Sequence, residues 1–348
     1  MMKRYCLHIL FIAFFLLQTA CDVSWKPTKR KLISLEEVPT VSLSMDTITR
    51  FQGEEYEYTA PDFQLVGDTL IALLYSQNAS LLRFYSLSGE PVTRTDIRKK
   101  TDTYSIPGYS FLDTSFSFLH PVTNIFYEYE VKEGNLRLPN YVRMRMGENS
   151  PKGAVRLDDE NFAFIGYFQN GLWGLWHEPT RILKFSGNYP VAQEYTSLYF
   201  LPYYNGRIDI SGNQIAYASY QFGYISSYRY VNKKLTKLWE TQVSDFLYKE
   251  KNGELVFDSH HKTGFIEVYF AGNYVYTLYN GYDDFSDEKS TNSIIVFSRD
   301  KGEPIARYIL PVAISYMKFD SKGANAYATY TAELQEVYMV RFRLPALP

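Results

Sequence analysis

Cysteine is nearly missing. The chain of 348 residues has two, Cys6 and Cys21, both near the N-terminus. From Asp22 onward there is no thiol, so a disulfide framework and a cysteine-based metal site are both excluded and stability must come from the core. A basic excess is missing too. The 36 Lys and Arg face 38 Asp and Glu, for a net charge of −2. That balance lacks the electrostatic footprint of a non-specific nucleic-acid binder, and no nucleic-acid partner is expected. Beyond the first twenty residues no apolar run approaches the ~20 residues of a membrane-spanning helix. Amphipathic helical periodicity is almost absent. Disorder is excluded as well, because 46% of the residues are hydrophobic and 21% charged. What is abundant is aromatic: 32 Tyr and 24 Phe, a composition that favours β structure.

The N-terminus carries an address. Lys3 and Arg4 form a positive start, and Leu7–Leu17 is an apolar run of signal-peptide length. It ends in Gln18-Thr19-Ala20-Cys21, which resembles the lipobox of bacterial lipoproteins. The resemblance implies cleavage before Cys21, a diacylated Cys21 and a lipid anchor in the membrane. The sequence departs from the usual pattern in one respect: Leu17 sits four residues before Cys21, and Gln18 occupies the customary Leu position. An ordinary cleaved signal peptide followed by a stray cysteine is the alternative. Residues 1–20 are read as the leader, 21–34 as a polar, basic tether, and 35–348 as one folded domain.

A two-strand signature with a polar turn recurs six times. Its copies are Asp62–Leu73, Tyr109–Phe118, Ala154–Ile165, Arg207–Tyr217, Phe265–Tyr276 and Met317–Ala328. Alternating apolar residues around Gly, Asp and Asn turns are the hairpin signal. The turn residues Asp68, Thr114, Asn161, Asn213, Asn273 and Asn325 recur about every 50 residues, a period that points to a β-propeller. Third strands are expected at Leu81–Leu87, Asn124–Val131, Arg181–Phe185, Tyr224–Val231, Ser293–Ser298 and Glu336–Arg343. A fourth, outer strand such as Pro91–Ile97 follows. The first and fifth units agree in detail, with Phe84-Tyr85-Ser86 before Gly89-Glu90-Pro91 and Val296-Phe297-Ser298 before Gly302-Glu303-Pro304.

The sixth unit ends near Arg343 with no room for a fourth strand. Thr40–Met45 has strand character and is expected to fill that place, covering an edge and closing the ring. The chain is therefore read as an all-β, six-bladed β-propeller whose last blade is closed by an N-terminal strand. Over Leu35–Leu344 this pattern resembles the TolB-like six-bladed propeller lipoproteins of the Bacteroidota. That resemblance implies a fold and a cell-envelope address on the outer or inner membrane, and no catalytic residues. Surface-exported lipoproteins of that phylum usually carry an acidic cluster after the cysteine. Here Asp22 is followed by Lys26, Lys29, Arg30 and Lys31, which implies a position facing the periplasm.

Candidate site residues follow from blade topology. Loops between second and third strands share one face with the links between blades, and the turns between first and second strands share the other. Asp158-Asp159-Glu160 falls on the turn face and reads as a plain acidic turn. On the loop face, Gln169–Pro179 offers Trp173, Trp176 and His177 as an aromatic platform for a sugar ring or a peptide side chain; otherwise the two Trp cap the core. Asn280–Lys289 brings Asp283, Asp284, Asp287 and Glu288. Such a loop would suit a hard cation, but it lacks the EF-hand pattern and reads as solvated charge. His260 and His261 lie in the link into the fifth blade. As strand neighbours they would point to opposite faces, so they cannot chelate one metal, though one could face the channel for acid–base work. No phosphate-binding, dinucleotide, zinc-protease or serine-hydrolase fingerprint occurs. No cofactor or metal is expected.

Two functional readings remain. One is a non-catalytic binding or scaffold module for a glycan, peptide or protein partner. The other is a hydrolase or lyase acting on a glycan or small molecule in the channel. Acids and histidines converging on the axis would favour the second, and an aromatic, weakly charged mouth the first.

Overall fold

The computed structural model describes residues 32–51, 62–75, 80–98, 106–109, 115–120, 123–132, 135–137, 140–147, 149–168, 170–190, 204–251, 254–281, 292–332 and 336–347. They form the six expected blades. Blade 1 is Phe63–Val66, Leu70–Tyr75, Ser80–Ser86 and Pro91–Arg98. Blade 3 is Ser150–Arg156, Asn161–Tyr167, Trp173–His177 and Ile182–Ser186, and blade 4 is Gly206–Ser211, Gln214–Ser219, Tyr224–Val231 and Lys234–Gln242. Blade 5 is Phe265–Ala271, Tyr274–Tyr279, Ser293–Ser298 and Pro304–Ile309. Blade 6 contributes Tyr316–Phe319, Asn325–Thr331 and Val337–Arg343.

Blade 2 is irregular. Its first strand, Ile106–Tyr109, pairs with Ser115–His120 only at Ile106 and Pro107. It then runs parallel to the first strand of blade 3 at Gly108 and Tyr109. Gln64 of blade 1 compensates at the place it leaves, donating from Nε2 to the Ser117 carbonyl at 2.6 Å. A buried carbonyl left without a donor would be costly. Two short strands, Asn135–Leu136 and Asn140–Arg143, share the outer edge of Ile125–Lys132.

An N-terminal strand does close the last blade, but at a shifted position. Met45–Phe51 pairs antiparallel with Val337–Arg343. Thr40–Ser42, expected in that role, lies instead parallel to Pro304–Ile309 as a fifth strand on blade 5. Leu32 and Ile33, expected in the tether, already bridge to Gln242 on the outer strand of blade 4. The N-terminal segment thus joins three successive blades. A second correction concerns blade 3, where Trp173–His177 is the third strand and Ile182–Ser186 the fourth. The expected third strand at Arg181–Phe185 and the expected loop around the two Trp are both displaced by one strand.

The core sits between blades. Six apolar clusters occur among the described residues, one at each interface around the ring. Faces alternate along each strand, so one strand serves two clusters. Trp173 packs toward Tyr217 and Tyr228 of blade 4, whereas Trp176 joins Phe126 and Phe162 on the blade 2 side. Many of the strand tyrosines, among them Tyr217, Tyr224, Tyr276 and Tyr327, are buried in these interfaces.

The shared Gly-Glu-Pro turns have a common purpose. Gly302 has φ +68, and a Cβ there would run into the indole ring of Trp239 in blade 4. Gly89 has φ +86, and a Cβ would lie 2.9 Å from Ile48 Cγ2 in the outer strand of blade 6. Each turn thus seats the outer strand of the preceding blade against bare backbone, in a conformation that favours glycine.

Candidate functional site

The structure disperses most of the residues picked out from the sequence. Trp173 and Trp176 are 0% and 1% exposed, so they are core residues and offer no platform. His177 lies on the turn face, not the loop face: its Nε2 is 3.3 Å from Glu160 Oε2 and 3.2 Å from Lys233 Nζ, and its Nδ1 is 2.7 Å from Thr180 Oγ1. It therefore shares a face with the acidic turn it was expected to oppose. In that turn, Asp158 is partly desolvated, yet bonds from Asn161 and the Glu160 backbone hold its carboxyl below the usual range.

His260 and His261 follow a hairpin of Tyr248–Lys251 and Glu254–Phe257 inserted between blades 4 and 5. His260 is exposed. His261 is buried, stacks on Phe257 with ring centroids 4.3 Å apart, and hydrogen-bonds through Nε2 to the Gln221 carbonyl at 2.6 Å. Its packing fixes the hairpin against Phe222. Asp283 and Asp284 lie outside the described residues.

A different cluster forms at the axis. The first strand of each blade is innermost, and three of them, with the residue just before a fourth, carry charges to one place. Lys318 Nζ of blade 6 lies 3.0 Å from Glu267 Oε2 of blade 5 and 3.8 Å from Asp62 Oδ1 at the start of blade 1. Arg207 of blade 4 lies with Nη2 3.1 Å from Asp62 Oδ2 and with Nε 3.5 Å from Glu267 Oε1. Blades 1 and 4 stand opposite each other in a ring of six, so the Arg207–Asp62 pair bridges the axis. Glu267 and Lys318 are buried beneath it, their side chains 1% and 2% exposed. Asp62 and Arg207 remain reachable at 19% and 12%.

The upper pair lies at the loop end of the blades. Asp62 precedes its strand, Arg207 is second in Gly206–Ser211, and Tyr316 opens Tyr316–Phe319. Tyr220 follows the second strand of blade 4 and lies, like Tyr316, with its ring centroid 5.8 Å from the Arg207 guanidinium carbon. Both aromatic rings are partly exposed.

Burial governs the titration of this cluster. Desolvation pushes Glu267 upward, against the pull of Lys318 and Arg207. Asp209, two residues after Arg207 on the same side of its strand, is fully buried and pushed up to about 7 by desolvation. The Phe270 backbone N–H donates to its Oδ2 at 2.7 Å and opposes that rise. Such a group keeps its proton where ordinary carboxyls have lost theirs.

The opposite face is built of latches. The Ser321 N–H of blade 6 donates to Asp68 of blade 1 at 2.9 Å. Arg299 of blade 5 donates to the Ser211 carbonyl and to Gln214 Oε1 of blade 4, both at 2.9 Å. Lys233 of blade 4 meets His177 of blade 3, and Tyr276 donates to the Gly323 carbonyl at 3.4 Å. These contacts hold neighbouring blades together.

The sequence held a signal for the axial cluster. Glu267, Lys318, Arg207 and Asp209 are charges set among apolar neighbours in the first strand of a repeat. A propeller turns that strand toward the axis, and an embedded charge there requires a partner.

No protein-family model and no curated protein matches the chain. Solved structures do. A Bacteroides fragilis protein inferred to be exported superposes with a TM-score of 0.56 at 9% identity, over 91% of this chain and 98% of its own. The β-propeller domain of Myceliophteria thermophila Cps50 (Swd1) gives a TM-score of 0.51 at 9% identity, over 87% of this chain and all of its own. U3-55K gives 0.51 at 10% identity, over 86% of this chain and 98% of its own. At such low identity these likenesses establish one thing, the β-propeller fold.

Proposed function

We propose that this chain is a lipid-anchored binding propeller of the cell envelope, and that its ligand, a glycan, peptide or protein, docks over the axis on the loop face. The observation that carries this reading is the ion pair between Arg207 and Asp62 across the axis, partly exposed and flanked by Tyr220 and Tyr316. A rigid ring that holds a few polar groups between aromatic walls is a common form of recognition site. The hydrolase or lyase alternative needs an acid and a base that reach a substrate. Here Glu267 and Asp209 are buried, Glu267 faces two cations, and Asp209 accepts a backbone N–H. That arrangement favours recognition over catalysis.

The anchor rests on the leader and on Cys21, the TolB-like resemblance supports an envelope address, and the basic residues after Asp22 support one facing the periplasm. The exported status inferred for the Bacteroides fragilis neighbour is in keeping with it. Detergent partitioning tests the anchor: wild type should fractionate with membranes and Cys21→Ser should be soluble. Both proteins remaining soluble would refute it. Calorimetric screening of glycans and peptides tests the site. Arg207→Ala should weaken a hit, and His177→Ala on the turn face should not. The reverse pattern would refute the placement.

A further inference from the structure

The mouth has a specific chemistry. Two cations, Arg207 and Lys318, face two carboxylates, Asp62 and Glu267, at 3.0 to 3.8 Å. Each cation lies against both carboxylates, so neither sign is left over to attract an ionic ligand. A carboxylate or phosphate ligand would have to displace Asp62 from Arg207, and an ammonium would have to displace Arg207 from Asp62. Breaking such a partly desolvated pair carries a penalty of its own.

Neutral hydrogen-bonding capacity does remain. Asp62 accepts from the Phe63 N–H at 2.8 Å and from Arg207, with Lys318 farther off. A carboxylate has about four lone-pair sites, so Asp62 keeps an acceptor position on a side chain that is 19% exposed. Tyr316 lies within the field of all four charges. Among the described residues its hydroxyl has no hydrogen-bond partner, and the residue is partly exposed. Burial pushes the Tyr316 phenol up, so it stays protonated and able to donate at any physiological pH.

We infer that the mouth recognises a neutral sugar through two neighbouring hydroxyls, one donating to Asp62 and the other accepting from Tyr316, with Arg207 held between them. Vicinal hydroxyls are neutral and each can both donate and accept, so they satisfy these groups without disturbing the ion pair. The Tyr220 and Tyr316 rings offer apolar faces for the C–H side of a pyranose, a use of tyrosine in which an apolar body and a polar tip serve together. An extended peptide would instead present backbone groups at a spacing of about 3.4 Å per residue and charged side chains, which this charge-balanced mouth does not match.

This inference rests on the loop-face binding reading, and the test separates the two. The full-length protein, purified in detergent, is titrated by calorimetry and ligand-observed NMR with a panel of glucose, galactose, mannose, N-acetylglucosamine and their β-linked disaccharides. Glucuronate, glucosamine, and acidic and basic hexapeptides are run beside them. Tyr316→Phe removes only the hydroxyl, and Asp62→Asn keeps the shape while removing the charge. At least one neutral sugar is expected to bind, with affinity falling ten-fold or more in Tyr316→Phe while the thermal midpoint stays at the wild-type value. The charged analogue of that sugar should bind more weakly. Peptide binding that is lost in Tyr316→Phe, with no neutral sugar bound, would overturn the sugar inference and keep the site. Sugar binding unchanged in Tyr316→Phe and in Asp62→Asn would overturn the sugar inference at this mouth and the loop-face site with it. If no probe binds, the sugar inference falls.

Discussion

Replacing Lys318 by Met tests whether the axial ion pair is a structural commitment. Met matches the length of the Lys stem but removes the ammonium 3.0 Å from Glu267. Glu267 is then left buried with Arg207 at 3.5 Å as its remaining cation. Removing one partner of a buried pair typically costs ~3–5 kcal/mol. Glu267 has one escape, which is to take up a proton. Its ordinary value is 4.5, so protonation at pH 7 costs about 3 kcal/mol at ~1.4 kcal/mol per pH unit. That sets a ceiling of about 3 kcal/mol on the loss at pH 7. The same reasoning predicts a ceiling near 1 kcal/mol at pH 5, where the proton is easier to acquire. Urea unfolding of a chain lacking residues 1–21, followed by tryptophan fluorescence at pH 5, 6, 7 and 8, would measure the difference in midpoint. Adding Glu267→Gln to Lys318→Met should restore most of the loss, because no buried charge is then left without its partner. A Lys318→Met loss below 1 kcal/mol at pH 7, or one that does not change between pH 5 and 8, would refute the reasoning.

Asp209 has a folded-state value raised from 3.8 to about 7, so between those values the folded chain holds a proton that the unfolded chain has released. Stability from this group is therefore present below about pH 4 and is lost as pH rises toward 7, by on the order of 4 kcal/mol. Asp209→Asn should flatten that dependence and raise the thermal midpoint relative to wild type at pH 8; a lower midpoint at pH 8 would contradict it. Gly302→Ala combines a positive φ with a clash on Trp239, whereas Gly272→Ala at φ +56 has nothing within 4 Å. The second should cost ~1–2 kcal/mol in chemical denaturation and the first clearly more. Deleting residues 45–51 removes the outer strand of blade 6 and should produce aggregation or a large fall in midpoint, seen by light scattering and calorimetry. A deletion as stable as the parent would show that the ring does not depend on this closure.

Local patterns in the sequence determined much of the architecture. Alternation around Asp68, Asn213, Asn273 and Asn325 specifies hairpins because strand periodicity and turn chemistry act over a few residues. Six copies and an incomplete last one specify a ring closed by an N-terminal strand. Even the matching turns at Gly89 and Gly302 were legible, though not the Ile48 and Trp239 they seat. Blade 3 was misread for a local reason: Gly171 and Gly174 beside Trp173 and Trp176 look like a loop when nothing shows which neighbours will bury them. The tertiary structure decided that both indoles are core, on opposite faces of one strand, because blades on each side supply the pockets. It alone assembled the axial site. Asp62, Arg207, Glu267 and Lys318 come from four blades and meet only when the ring closes. An embedded charge in one strand shows that a partner is needed, but which one it meets is a property of the closed circle.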